Sequence, residues 1–197
     1  MIRKLSITLL LALFAMSSQA QTTTSTDQLL KKHEITAGLG LVSDIQLVTL
    51  IGDVGATIVT GGYFVKPGSY SAFAPFATYR YWFNKRIALG GSFLIDFNSV
   101  MLKKEVHGTF EEHTRIYPTI TAEFVVNYVY RPVWQLYGLI GAGATIAIVS
   151  NSDFPSLGFF NMHISPLGLR VGKDIGGFIE FGYGYKGIIN AGVSVRL

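Results

Sequence analysis

From Glu34 onward, apolar and polar side chains alternate along the chain with a period of two. That is the repeat of a strand showing each of its faces to a different environment. The longest run lies at 114–130. Ile116, Ile120, Ala122, Phe124, Val126, Tyr128 and Tyr130 share one face, and Arg115, Tyr117, Thr119, Thr121, Glu123 and Asn127 share the other. A helix turns about 100° per residue and would mix the two sets. The same separation recurs, giving about eight segments: 34–42, 71–83, 87–98, 114–130, 134–149, 160–171, 177–185 and 188–197. In 177–185 the apolar face holds Ile179, Phe181, Tyr183 and Tyr185 against Glu180. In 160–171 the phase slips near Pro166, which cannot donate to a ladder, so a bulge or strand end is expected there.

The connectors alternate as well. Those at 84–86, 131–133 and 172–176 are short, while those at 43–70, 99–113 and 150–159 are long. Short turns at one end and long loops at the other are the pattern of outer-membrane barrels. The last connector, at Lys186 and Gly187, would be a short loop on the outer side. Within the first long loop, Leu47, Leu50, Ile51, Val54 and Ile58 fall at helical spacing, with Asp44, Gln46, Asp53 and Thr57 opposite. Ser43 or Asp44 can cap the start, and Gly61 and Gly62 can end it. A short helix is therefore expected, lying on the membrane surface or over the barrel mouth.

Alternation alone does not say which face points inward. Three features favour an apolar exterior. Tyr79, Tyr81, Trp82, Phe83, Tyr128, Tyr130 and Trp134 gather at the short-turn ends, as an interfacial aromatic belt would. The polar face carries Arg80, Asp96, Arg115, Glu123, His163, Glu180 and Arg196, which are costly in an apolar pocket but can pair in a polar lumen. A closed barrel also satisfies every backbone group, as a bilayer requires. Composition agrees: 49% of residues are hydrophobic and 14% charged, against roughly 25% charged in an ordinary soluble domain. A helical membrane protein fits poorly, because the apolar run from Gly138 to Val149 spans only about 12 residues where about 20 are needed. The fold class expected is all-β: an antiparallel transmembrane β-barrel of about eight strands with a short helix in its first long loop.

Arg3 and Lys4 precede an apolar run from Leu5 to Met16, and Ser18 and Ala20 set small residues before a cleavage point. The expected organisation is a signal peptide at 1–20, a polar lead-in at 21–33 and the barrel at 34–197. The run is too short for a membrane anchor. The net charge is +4, and removing Arg3 and Lys4 leaves 14 basic against 12 acidic residues without a basic stripe. No nucleic-acid partner is expected. The chain has no cysteine, which excludes disulfides, thiolate metal sites and lipid modification at a cysteine. His107, His113, Glu105, Glu111 and Glu112 match no metal-ligand spacing, and neither a metal nor a cofactor is expected.

The final strand carries Asn190, Gly192, Val195 and Leu197. This resembles the C-terminal signal read by the outer-membrane assembly machinery, with Leu in place of the commoner terminal Phe. Gly177 to Gly187, followed by Ala191 to Ser194, resembles the tail of small outer-membrane β-barrel proteins of the Bacteroidetes type, and Tyr79 to Arg86 resembles their first periplasmic hairpin. The resemblance implies residence in a bacterial outer membrane. It also implies partners in outer-membrane lipid, the assembly machinery and periplasmic chaperones. It implies no chemistry.

One enzyme-like set remains. His163 and Ser165 share a strand face, and Glu180 on the next strand could orient the histidine. The set weakly resembles that of outer-membrane lipid A deacylases, but Asn161, Met162 and Pro166 replace their longer motif and the phasing turns it toward the lumen. The expected function is non-enzymatic: a structural or surface-interaction barrel. A lipid-modifying enzyme and a narrow solute pore are the alternatives. A barrel of about eight strands is usually filled by side chains, so a lumen plugged by internal ion pairs is expected in place of an open pore.

Overall fold

The computed structural model describes residues 31–197 apart from 64, 72, 104–108 and 150–156. The expected signal peptide, most of the lead-in, and Glu105 and His107 lie outside the described residues. The described strands are β1 (His33–Leu41), β2 (Val65–Tyr70), β3 (Phe73–Trp82), β4 (Ile87–Lys103), β5 (Phe110–Tyr130), β6 (Trp134–Val149), β7 (Leu157–Gly172), β8 (Ile175–Gly184) and β9 (Ile189–Arg196), with one helix, α1 (Asp44–Val59), between β1 and β2. β2 and β3 both pair with β4, end to end, and act as two halves of one stave. Every pairing is antiparallel. Neighbours follow chain order, and β1 closes the ring between β3 and β9. The result is a closed eight-stave antiparallel barrel. Through the body of the barrel, closure gives each stave a hydrogen-bonded neighbour on both sides.

The barrel is apolar outside and polar inside. Ile120 on the outer face is 69% exposed, whereas Arg80 on the inner face is 2% exposed. Thr36, Ser92, Thr121, Glu123, Glu180 and Ser194 are buried inside, while Leu39, Phe93, Phe124, Ile140 and Val193 look outward. This is the reverse of a ligand-binding barrel with an apolar cup. The apolar cluster inside is small: Ala74, Phe76, Leu94, Phe178 and Tyr185.

Pro166 sits in a bulge, with the registers of β7 against both β6 and β8 shifting around it. The short turns are locally built. Asn84 Oδ1 accepts from the backbone N–H groups of Arg86 and Ile87 at 2.8 and 2.9 Å. At Lys173 and Asp174, the buried Arg170 guanidinium donates to the Gly172 and Lys173 carbonyls at 2.7 and 2.9 Å.

The structure corrects several details. All three long connectors are shorter than expected, because β2 occupies the end of the first loop, β4 runs on to Lys103 and β5 begins at Phe110, and β7 begins at Leu157. Trp82 is not part of the exterior belt. It is buried, and its indole N–H donates to Glu34 at 3.1 Å, because a residue one step from the outward Tyr79–Tyr81–Phe83 phase points into the lumen. Tyr185 is not outward either. Gly184 has a φ of +132°, a conformation that breaks the pleat and favours glycine. It swings Tyr185 and Lys186 into the barrel, where both are fully buried. The last connector is thus tucked inward and does not project as an outer loop.

The rim is uneven. β8 ends at Gly184 opposite His163, and β7 continues beyond that point to Leu157 with β6 alone beside it. β1 ends at Leu41, opposite Phe73 and Ile189. The wall is therefore low at β8, β9 and β1, and high at β2, β4, β5, β6 and β7.

Candidate functional site

The candidate site is the lumen and its mouth. Alternate residues on facing strands deliver the polar groups, in three layers.

The central layer is organised around Arg80 on β3. Its guanidinium lies 3.1 Å from Glu180 on β8, 3.4 Å from Glu123 on β5 and 3.6 Å from Glu34 on β1. Glu180 also accepts from the Tyr137 hydroxyl at 2.7 Å. Glu123 receives Lys186 Nζ at 2.5 Å, the Tyr185 hydroxyl at 3.2 Å and the Ser92 hydroxyl. Lys186 also lies over the Phe76 ring, 4.7 Å from its centroid. The inturned connector thus places a cation and a phenol across the centre of the lumen.

The layer toward the short turns joins Glu34 to Arg196 at 2.5 Å. Arg196 donates onward to Gln135 at 2.6 Å and lies over the Trp82 ring, and Arg170 Nε donates to Ser194 at 2.6 Å. Across the two layers, three carboxylates (Glu34, Glu123 and Glu180) face four cations (Arg80, Arg170, Lys186 and Arg196), all buried. Isolated charges at these depths would be prohibitive, so mutual pairing is what makes their burial tolerable.

The mouth layer belongs to α1. Val42, with φ 55°, turns the chain from β1 into the helix. Ser43 and Gln46 form a capping box. Both then reach one carboxylate on the barrel wall: the Ser43 hydroxyl and the Gln46 amide donate to Asp96 on β4 at 3.1 and 2.9 Å. Asn98 donates to Thr49 at 2.9 Å. Arg115 Nη1 donates to both oxygens of Asp53, at 3.1 and 2.9 Å. Burial raises the Asp44 carboxyl above its usual range, and bonds from the Ile45 N–H and the Asn161 amide oppose that rise. The polar face of the helix is therefore turned toward the barrel. Replacing Asp53 with Ala removes a charge-assisted bond worth about 1–3 kcal/mol. It is expected to raise amide hydrogen exchange along α1 while leaving exchange in β7 and β8 unchanged.

The seven polar residues singled out in the sequence all occur on the inner side, but not in one cluster. Arg80, Glu123 and Glu180 meet in the centre. Arg196 joins through Glu34. Asp96 and Arg115 serve the helix. His163 is fully buried beside Tyr185, with ring centroids 5.1 Å apart, and neither of its ring nitrogens has a hydrogen-bond partner among the described residues. Ser165 donates to the Phe181 carbonyl at 3.0 Å, and Glu180 is engaged by Arg80 and Tyr137. His163, Ser165 and Glu180 thus form no hydrogen-bonded relay. Glu34, Tyr137, Arg170 and Lys186 were not singled out. Glu34 and Arg170 had the strand phase as a signal. Lys186 had none, because its position depends on the Gly184 turn. Among the described residues no group of histidine, aspartate and glutamate side chains is arranged to hold a metal ion.

Comparison with protein-family models and with curated proteins finds no match. Among solved structures, the chain is similar to Ail, the attachment invasion locus protein of Yersinia pestis, in its crystal structure with the heparin analogue sucrose octasulfate. The sequences are 18% identical, and the TM-score is 0.43 over 84% of this chain and 95% of that one.

Proposed function

We propose that this chain is an integral outer-membrane barrel with a sealed lumen, acting as a structural or surface-interaction protein and not as an enzyme. The observation that carries this reading is the inversion of the barrel: among the described residues, an apolar exterior around a lumen crossed by buried ion pairs. A hydrocarbon surround matches the exterior, and the ion pairs match an interior shielded from it. The sealed reading is supported by Arg80 and Lys186, which bridge strands on opposite sides of the lumen. The non-catalytic reading is supported by the absence of a hydrogen bond between His163 and Ser165, and by their enclosure away from the lipid face. Outer-membrane lipid is the proposed surround. Asn190, Gly192, Val195 and Leu197 on the closing strand are the proposed signal for the assembly machinery.

Heat-modifiability tests the fold in its setting. The unboiled protein from an outer-membrane fraction is expected to migrate faster than the boiled protein on a mild detergent gel. Recovery in the soluble periplasm, or identical mobility, would overturn membrane residence. In planar bilayers the purified protein is expected to give no discrete conductance steps, and steps would restore the pore reading.

A further inference from the structure

Helix α1 presents an unusual surface. Its face opposite Gln46 and Asp53 consists of Leu47, Val48, Ile51, Val54, Ile58 and Val59. Ile51 is 63% exposed and Val59 86% exposed. Asp44 stands at the N-terminal end of this face, half-buried and bonded to Asn161; beyond it, from Leu47 to Val59, no charged or amide side chain interrupts the face. The helix cannot simply roll to hide it, because the capping box, Asp96 and the Asp53–Arg115 pair hold the polar face inward.

The register shows at what height this face stands. The partners of the helix on β4 and β5 are Asp96, Asn98 and Arg115. They flank Phe97, which is paired with Ile116, and Ile116 is paired in turn with Ile148. Phe97 and Ile148 look outward and are exposed, and higher on the same wall so does Met101. The apolar exterior of the high wall thus reaches the level of α1. On the other side, β8, β9 and β1 have already ended. There the ring of staves has a gap at the same height, above the outward-facing Leu39, Val42, Tyr183 and Ile188. A helix that leans with its polar face on the inner surface of β4 and β5 turns its opposite face toward that gap.

We propose that α1 completes the wall over β8, β9 and β1, and that its aliphatic face is seated against the acyl chains of the outer leaflet. This rests on reading the barrel as membrane-spanning. The occupant is lipid by composition and continuity. From Leu47 to Val59 the face is aliphatic with glycines, lacks the aromatic and arginine anchors that dominate protein interfaces, and prolongs the apolar band formed by Leu39, Phe97, Ile148 and Tyr183 on the neighbouring wall. Without it, lipid at this level would meet the polar lumen directly.

The absence of cysteine permits a direct test. Ile51→Cys and Ile58→Cys on the helix, Leu39→Cys on β1 and Lys85→Cys in a short turn are each labelled with a nitroxide. The full barrel is then placed in phosphatidylethanolamine–phosphatidylglycerol vesicles, and collision with oxygen is compared with collision with a water-soluble nickel chelate. The labels at 51 and 58 are expected to favour oxygen several-fold, as the label at 39 does, with the label at 85 favouring nickel. Labels at 51 and 58 that favour nickel while 39 favours oxygen would overturn the proposal and leave the helix face to a soluble partner. Labels at 51 and 58 shielded from both relaxants would overturn it in favour of a second copy. A nickel-favouring label at 39 would overturn the membrane reading itself.

Discussion

Replacing Arg80 with alanine is expected to cost about 3–5 kcal/mol, the range for breaking a buried charge pair. The cost arises from what is left behind. Glu180 keeps Tyr137 as its neutral donor, Glu123 keeps Lys186 and Glu34 keeps Arg196. Across the two layers three carboxylates then face three cations, and Glu180 has lost the cation it paired with. The measurement is guanidinium unfolding in lipid vesicles, with loss of the fast-migrating gel form as a second readout. Combining Arg80→Ala with Glu180→Gln should cost less than the sum of the two, because the charge left unpaired is removed with its partner. A loss below about 1 kcal/mol for Arg80→Ala would mean that water or ions enter the lumen freely enough to solvate the carboxylates, and would count against a sealed barrel.

The second large effect lies at the closing seam. Gly192 on β9 pairs with Gly38 on β1. A Cβ added at Gly192 would lie 2.1 Å from the Ala37 carbonyl oxygen and 2.6 Å from the Gly38 Cα. Both are backbone atoms in a hydrogen-bonded ladder and cannot rotate aside. Gly192→Ala is therefore expected to destabilise the barrel by about 1–3 kcal/mol or more, as overpacking does, and to lower the yield of heat-modifiable protein. Gly177→Ala is the control. Its new Cβ would come no closer than 3.9 Å to any atom, and alanine in a strand interior is ordinarily better than glycine by about 0.5–1 kcal/mol. Equal behaviour of the two variants would show that the seam can give way, and would leave Gly192 with a role in assembly alone.

Gly192 was noticeable as part of a C-terminal pattern, but its physical reason, a close crossing of β1 and β9, is a contact between residues at opposite ends of the barrel sequence. Arg80, Glu123 and Glu180 were visible because an ionisable residue at an inward position of an amphipathic strand stands out in a chain with few charges. Their common meeting point was not visible, because it depends on stagger between strands far apart in sequence. Trp82 and Tyr185 were misplaced for a local reason. Aromatic content says that a ring is near an interface, whereas one step of pleat or one left-handed glycine decides which side of the wall it takes.

Eight strand segments, a helix in the first long loop capped at Ser43 or Asp44, and two unlike faces were legible in the chain, because each is set by neighbours within a few residues. Tertiary structure decided the rest. Closure through β1 and β9 fixed the barrel, the register chose which carboxylate meets which cation, and Gly184 sent Lys186 inward. The uneven rim decided where α1 could lean. All of these depend on long-range pairing, where the free energy of closing the ring and enclosing its charges is shared among residues that no local pattern connects.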